Sequence, residues 1–98
     1  MQLPPPILND DERVKAVERL GLLDTLPEER FDRLTRLASR ALGTEIALVS
    51  LIDVDRQWFK SCHGLDAEQT PRDQAFCAHA IQSDDIMVVP DASQDPRF

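Results

Sequence analysis

Cysteine, glycine and aromatic side chains are all scarce in this 98-residue chain, which holds two Cys, three Gly, one Trp, four Phe and no Tyr. Two cysteines, Cys62 and Cys77, in a chain without an export signal do not make a disulfide scaffold, and they point to reduced thiols in a cytosolic setting. The start, Met1-Gln2-Leu3-Pro4-Pro5-Pro6, lacks both the positive charge and the apolar run of a signal peptide. No stretch approaches the ~20 apolar residues that span a bilayer. Basic residues are also in the minority, 11 against 18 acidic ones for a net charge of −7, and they are interleaved with acids. Phosphate binding needs clustered Lys and Arg, so neither nucleic acid nor an anionic membrane is expected as a partner. The glycines each close an element rather than forming a phosphate-cradling loop. No Ser-His-Asp order or supported carboxylate pair is present, and no residue is assigned a catalytic role.

What is present suits one small globular domain, with 42% apolar and 30% charged residues. A proline-rich lead over residues 1–8 precedes a first helix, which Asn9 or Asp10 can cap and Gly21 can end. Val14, Val17 and Leu20 recur along it at helical spacing. A second helix follows Pro27, with Thr25 or Leu26 in the cap region and Gly43 as terminator. Phe31, Leu34, Leu37, Ala38, Ala41 and Leu42 fall on one face of that helix and should meet the core. Glu45 to Asp53 is apolar on both alternations, the pattern of a central strand covered on both sides. Gln57 to His63 reads as the return strand of a hairpin, and Leu65 to Pro71 as a loop. Asp73 can cap a short helix over residues 74–81, and Ile86 to Val89 reads as a further short strand. Residues 9–98 therefore predict one domain of helices and strands that includes a hairpin. A hairpin and one isolated strand make a poor sheet alone, so later strands are expected in a longer parent chain.

The wording of these segments carries a resemblance. Arg19-Leu20-Gly21-Leu22-Leu23-Asp24-Thr25, Phe31-Asp32-Arg33-Leu34-Thr35-Arg36-Leu37-Ala38 and Ala47-Leu48-Val49-Ser50-Leu51-Ile52-Asp53 follow one another in order. Asp55-Arg56-Gln57-Trp58-Phe59-Lys60-Ser61, Phe76-Cys77-Ala78-His79-Ala80-Ile81 and Val88-Val89-Pro90-Asp91-Ala92 with Asp95-Pro96-Arg97-Phe98 complete the set. Together they resemble the front portion of a bacterial GAF domain, of the subfamily placed ahead of diguanylate cyclases, sensor histidine kinases or phosphodiesterases. The resemblance implies an α+β sandwich, an antiparallel sheet flanked by helices, that serves as a sensory or regulatory module, binds a small molecule or partner and controls an attached C-terminal output domain. It also implies that part of any ligand pocket lies beyond Phe98.

Several residues invite chemistry. Cys62, His63, Cys77 and His79 suggest zinc. Neighbours on a strand point to opposite faces, though, and positions two apart on a helix diverge by about 200°, so no metal site is assigned. Cys62-His63 also resembles the pair that holds a bilin in light-sensing GAF relatives, but there it lies on a helix and here on a strand. No cofactor is assigned. Cys77 near a helix start resembles the nucleophile of GAF relatives that reduce free methionine sulfoxide, which makes a thiol-dependent reductase the enzymatic alternative. Trp58 and Phe59 face opposite sides of their strand. The GAF layout implies Phe59, Phe76, Cys77, His79 and Asp91 as ligand-binding candidates. Val14, Val17 and Leu20 are candidates for a homodimer interface, and a purely structural dimerisation module, using these residues with Phe31 and Leu34, is the remaining alternative.

Overall fold

The computed structural model describes residues 2–98. Its elements are α1 (Asp10–Arg19), α2 (Glu29–Leu42), β1 (Ala47–Ile52), β2 (Arg56–His63), β3 (Gln69–Pro71) and, after a 3-10 turn at Arg72–Gln74, α3 (Phe76–Ala80). The β strands form a three-stranded antiparallel sheet in the order β1-β2-β3, so the chain is α+β. Among the described residues no helix is long and apolar enough to cross a membrane.

The hairpin forms where the apolar run meets Asp53-Val54-Asp55. The Asp53 amide donates to the Arg56 carbonyl at 2.8 Å, and the Asp53 carboxylate accepts from the Val54 amide, also at 2.8 Å. The expected centrality of the first strand is not observed. Among the described residues β1 has β2 alone as partner, whereas β2 lies between two neighbours and is the most buried strand. Polar Gln57, Lys60 and Ser61 disguised this, since each is buried only because it is hydrogen-bonded. The Leu65 to Pro71 segment is likewise not all loop. Its end, Gln69–Pro71, pairs with Arg56 to Trp58, and Pro71 is tolerated because it sits on an edge strand. Ile86 to Val89 forms no strand among the described residues, and Ile86 is 93% exposed. A strand needs a ladder partner, and none lies beside this segment.

A β-bulge sets the two faces of the sheet. Val49 pairs with Ser61 and Ser50 with Phe59, which leaves Lys60 as the extra residue. The bulge lets Lys60 and Ser61 reach the same side, where both bond to α2 or to the segment leading into it. Trp58 shares that side with Leu51, while Ser50, Phe59, Ile52 and Gln57 face the other way. Trp58 and Phe59 therefore stand on opposite faces, as alternation predicts, and both are buried.

The helices depart from expectation in their caps and in one rotation. Asn9 is left-handed (φ 61) and makes no side-chain cap; Asp10 instead pairs with Arg13 at 2.8 Å. α2 begins at Glu29, after an extended Glu28, so neither Thr25 nor Leu26 caps it. Thr25 spends its hydroxyl on the Leu22 carbonyl and on Lys60. Gly43 ends α2 in the left-handed conformation, as expected. Asp73 falls within the 3-10 turn, and α3 starts after Ala75 with no side-chain cap. The larger correction concerns the face of α2. Thr35 is its buried residue, while Leu34, Leu37 and Leu42 are 52%, 61% and 76% exposed. Polar bonding turned the helix: the Thr35 and Ser61 hydroxyls lie 2.9 Å apart, and Ser61 donates to Asp32 at 2.6 Å.

The apolar core is small, with Val14, Ile52, Trp58, Phe59, Ala75 and Ala78 as its buried members, so charged ties do much of the joining between layers. The Lys60 side chain is fully covered (0% exposed) and its Nζ lies 2.7 Å from Glu28 Oε2. The same nitrogen donates to Thr25 Oγ1 and to the Leu26 carbonyl, each at 2.7 Å. Arg56 grips Asp24 with two bonds of 2.8 Å and Asp53 with one of 3.0 Å. Arg72 holds Asp10 at 2.8 and 2.9 Å and also donates to the Asp53 and Val54 carbonyls.

Arg72→Ala should lower stability to urea by about 2 kcal/mol, since it strips Asp10 and a pair of carbonyls of a shared donor. The same ties set the response to acid. The Arg72 guanidinium holds Asp10 well below the carboxylate range, Arg56 lowers Asp24, and Lys60 lowers Glu28. Folded-state values below the unfolded ones stabilise above the ordinary carboxylate range, and that stability is lost as pH falls through it. The urea midpoint should be flat from about pH 7 to 5 and drop below about pH 4, more gently in Arg72→Ala. A midpoint independent of pH would contradict the ion-pair account. Lys60→Ala should cost about 2 kcal/mol, and Lys60→Met, which keeps the apolar stem, measurably less.

Candidate functional site

The sheet face bearing Ser50 and Phe59 is covered by α3. Pro71 ends β3, the 3-10 turn reverses the chain, and Ala75 and Ala78 (3% and 1% exposed) seat the short helix. This lowers Cys77 onto β1, with Ser50 Oγ donating to Cys77 Sγ at 3.3 Å. Phe59 lies opposite Ser50 in the ladder, so Cys77 and Phe59 belong to one face. Gln57 shares that face; its Nε2 donates to Thr70 Oγ1 at 3.0 Å, while its Oε1 is buried without a partner. The other such buried atom among the described residues is Arg13 Nη2.

Phe76 and His79 turn away from this face. The Phe98 ring stacks on Phe76 at 4.0 Å and meets His79 edge-on at 5.1 Å. Arg97 covers Phe98 at 5.2 Å and is anchored to Asp95 by bonds of 3.0 and 2.7 Å. The Arg97 side chain, helped by its backbone amide, brings the Asp95 carboxyl down to about 2. Asp91 stands apart: it is exposed and folds its own turn, accepting from the Ser93 amide at 3.0 Å. Of the expected ligand-binding set, the structure thus joins Cys77 with Phe59 and, separately, Phe76 with His79, and leaves Asp91 outside both groups.

Neither of the larger hollows centres on these residues. A groove of about 680 Å³ runs between Leu3–Ile7 of the proline lead and the Val54, Asp55, Arg72 and Asp73 side of the hairpin. A second, of about 360 Å³, lies where the start of α2 meets β2; Asp32, Thr35, Ser61, Cys62 and His63 line it, and Phe59 is the one expected residue that reaches it. The Asp32-Thr35-Ser61 hydrogen-bond chain lies outside the candidate residues that the sequence pattern marks. Its one signal was a threonine inside an otherwise apolar helical pattern. The candidate interface residues are also spread out: Val14 is buried, Val17 half-buried and Leu20 59% exposed.

The chemistry of the thiols is limited by their neighbours. Cys77 receives a hydroxyl proton donor, which is not a general base. Cys62 donates to the Leu65 carbonyl at 2.9 Å. Both cysteines are free, and among the described residues no three His, Cys, Asp or Glu side chains gather as metal ligands.

Comparison with known proteins decides the family. The GAF domain model matches residues 26–98. The chain belongs to the GAF family. That span takes in α2, the sheet and α3; α1 lies ahead of it. Over all 98 residues the chain is also 42% identical to a cyclic di-GMP phosphodiesterase of Pseudomonas aeruginosa, of whose length it spans 17%. The GAF assignment accounts for an antiparallel sheet with helices on both faces, and it marks a regulatory module.

Phe98→Ala should remove the ring that packs on Phe76 and His79 and cost about 1 kcal/mol in urea unfolding. A stability equal to that of the parent chain would show that the C-terminal hook contributes nothing to the seating of α3.

Proposed function

We propose that this GAF domain is the sensory part of a cytoplasmic signalling protein whose attached output domain makes or breaks cyclic di-GMP. The observation that carries this reading is the 42% identity, across the whole chain, to a cyclic di-GMP phosphodiesterase. It favours a phosphodiesterase or diguanylate cyclase output over a histidine kinase. The input side is the sheet face beneath α3. A small molecule entering between Phe59 and Cys77 would displace the Ser50 contact, lift α3 and disturb Phe76, His79 and Phe98 on its outer side. Such a shift changes output only to the extent that the ligand binds the two positions of α3 unequally. Homodimerisation through α1 would use Leu20 and the exposed edge of Val17, with Val14 retained in the core.

The experiment is a comparison of cyclic di-GMP synthesis and hydrolysis by the parent protein with and without residues 9–98. A several-fold change in either rate is expected. Equal rates with and without the module would defeat the regulatory reading, and autophosphorylation in place of nucleotide turnover would defeat the cyclic di-GMP output.

A further inference from the structure

Both thiols of the chain stand on one face of the sheet, on neighbouring rungs. In the β1–β2 ladder Leu48 pairs with Cys62 and Ser50 with Phe59. Ser61 bonds to Thr35 and Asp32 of α2, so Cys62, next along the strand, points to the opposite face. That is the face α3 covers, where Ser50 donates to Cys77 Sγ at 3.3 Å. Leu48, Cys62, Phe59 and Ser50 thus mark four corners, and Cys77 stands over the corner diagonal to Cys62. Diagonal neighbours across a ladder lie about 7–8 Å apart. The placement follows from the hairpin register and one hydrogen bond, and it needs no exposed surface.

A disulfide needs its Cα atoms within about 7 Å, so α3 has to slide toward Cys62 to close one. Little resists that motion. α3 is five residues long, has no side-chain cap, and is seated by the methyl groups of Ala75 and Ala78. Cys62 is held by one bond, from its thiol to the Leu65 carbonyl at 2.9 Å, and a thiol is a weak donor. Both sulfurs are free and half-buried. We propose that Cys62 and Cys77 form a reversible disulfide that fastens α3 across the sheet face when a peroxide is present. No neighbour supplies a base, so each thiol loses its proton to solvent. The Cys77 thiolate attacks one oxygen of hydrogen peroxide, the O–O bond breaks, and the departing hydroxide takes a proton to become water. Cys77 is then a sulfenic acid. The Cys62 thiolate attacks its sulfur, the S–S bond forms, the S–O bond breaks, and a second water leaves. In sum, the pair of thiols is oxidised and the peroxide is reduced to water. A disulfide of this kind is transient and redox-sensing in a reducing compartment. It goes beyond the ligand reading, because α3 is moved here by a bond within the chain rather than by a bound molecule.

The parent protein is treated with hydrogen peroxide, its remaining thiols are alkylated, and it is cut with trypsin without reduction. Cleavage after Lys60, Arg72 and Arg97 puts the cysteines in separate peptides, residues 61–72 and 73–97. Those peptides should appear joined, lighter by two hydrogens than their sum, and dithiothreitol should part them. In Cys62→Ser the resolving thiol is gone, so labelling of Cys77 by dimedone, a sulfenic acid trap, should rise at least about fivefold over the parent. Serine is close to cysteine in size, and an unchanged circular dichroism spectrum confirms that the variant folds. Unjoined peptides after peroxide, either cysteine joined to some other thiol instead, or equal dimedone labelling with and without Cys62 would each overturn the proposal. The linkage is read by mass, so it stands or falls separately from any effect on cyclic di-GMP turnover.

Discussion

The fold turns on the ammonium group of Lys60. The side chain that carries it is fully covered, and a buried charge of this kind survives only when its donors are all met. Here Glu28, Thr25 and the Leu26 carbonyl meet them. Those partners lie on the connector between α1 and α2, so satisfying one nitrogen fixes where α2 begins. The nitrogen reaches them because the ladder skips Lys60 between Val49–Ser61 and Ser50–Phe59. A regular strand would send Lys60 and Ser61 to opposite faces. The helix layer would then lose either the lysine tie or the Thr35-Ser61 hydrogen bond.

Other contacts repeat that logic at lower burial. Arg72 closes the hairpin end onto the first turn of α1, and Arg56 closes the connector onto the same turn of the sheet. Cation and carboxylate pairs are poor sources of net stability, but they are directional where apolar packing is not. With few large apolar residues buried, direction is what this chain needs in order to place its helices. The apolar side of α2 is the counterpart of that arrangement, since a helix held by its polar edge keeps its leucines free.

Much of this was legible in advance, and the failures share a cause. Gly43 marked the end of α2, and the run to Ile52 with Asp53-Val54-Asp55 marked the hairpin, because turn and cap chemistry is local. The burial of Gln57, Lys60 and Ser61 is hidden in the sequence because hydrophobicity is the local signal of burial, while these residues are buried by bonding. The same signal rotated α2 by roughly a third of a turn, toward its leucines and away from Thr35. Gln69–Pro71 was hidden by its proline and by brevity, and Ile86 to Val89 looked like a strand because apolar alternation does not reveal whether a partner exists. For the candidate site, helical geometry separated Cys77 from His79 correctly, since one meets Ser50 and the other Phe98. Which of them shares a face with Phe59 depended on the register beyond the bulge, and no local pattern announces a bulge.

The two borders of the sheet are unequal in a way that bears on how the chain behaves at high concentration. β3 is three residues long and ends in Pro71, so it offers an approaching chain little backbone to pair with. β1 is six residues long, apolar on both alternations, and, among the described residues, paired with β2 alone. For these 98 residues, the border that invites pairing is therefore β1. Whatever shields β1 governs whether molecules stay apart or stack strand on strand, while a net charge of −7 slows their approach without closing that border.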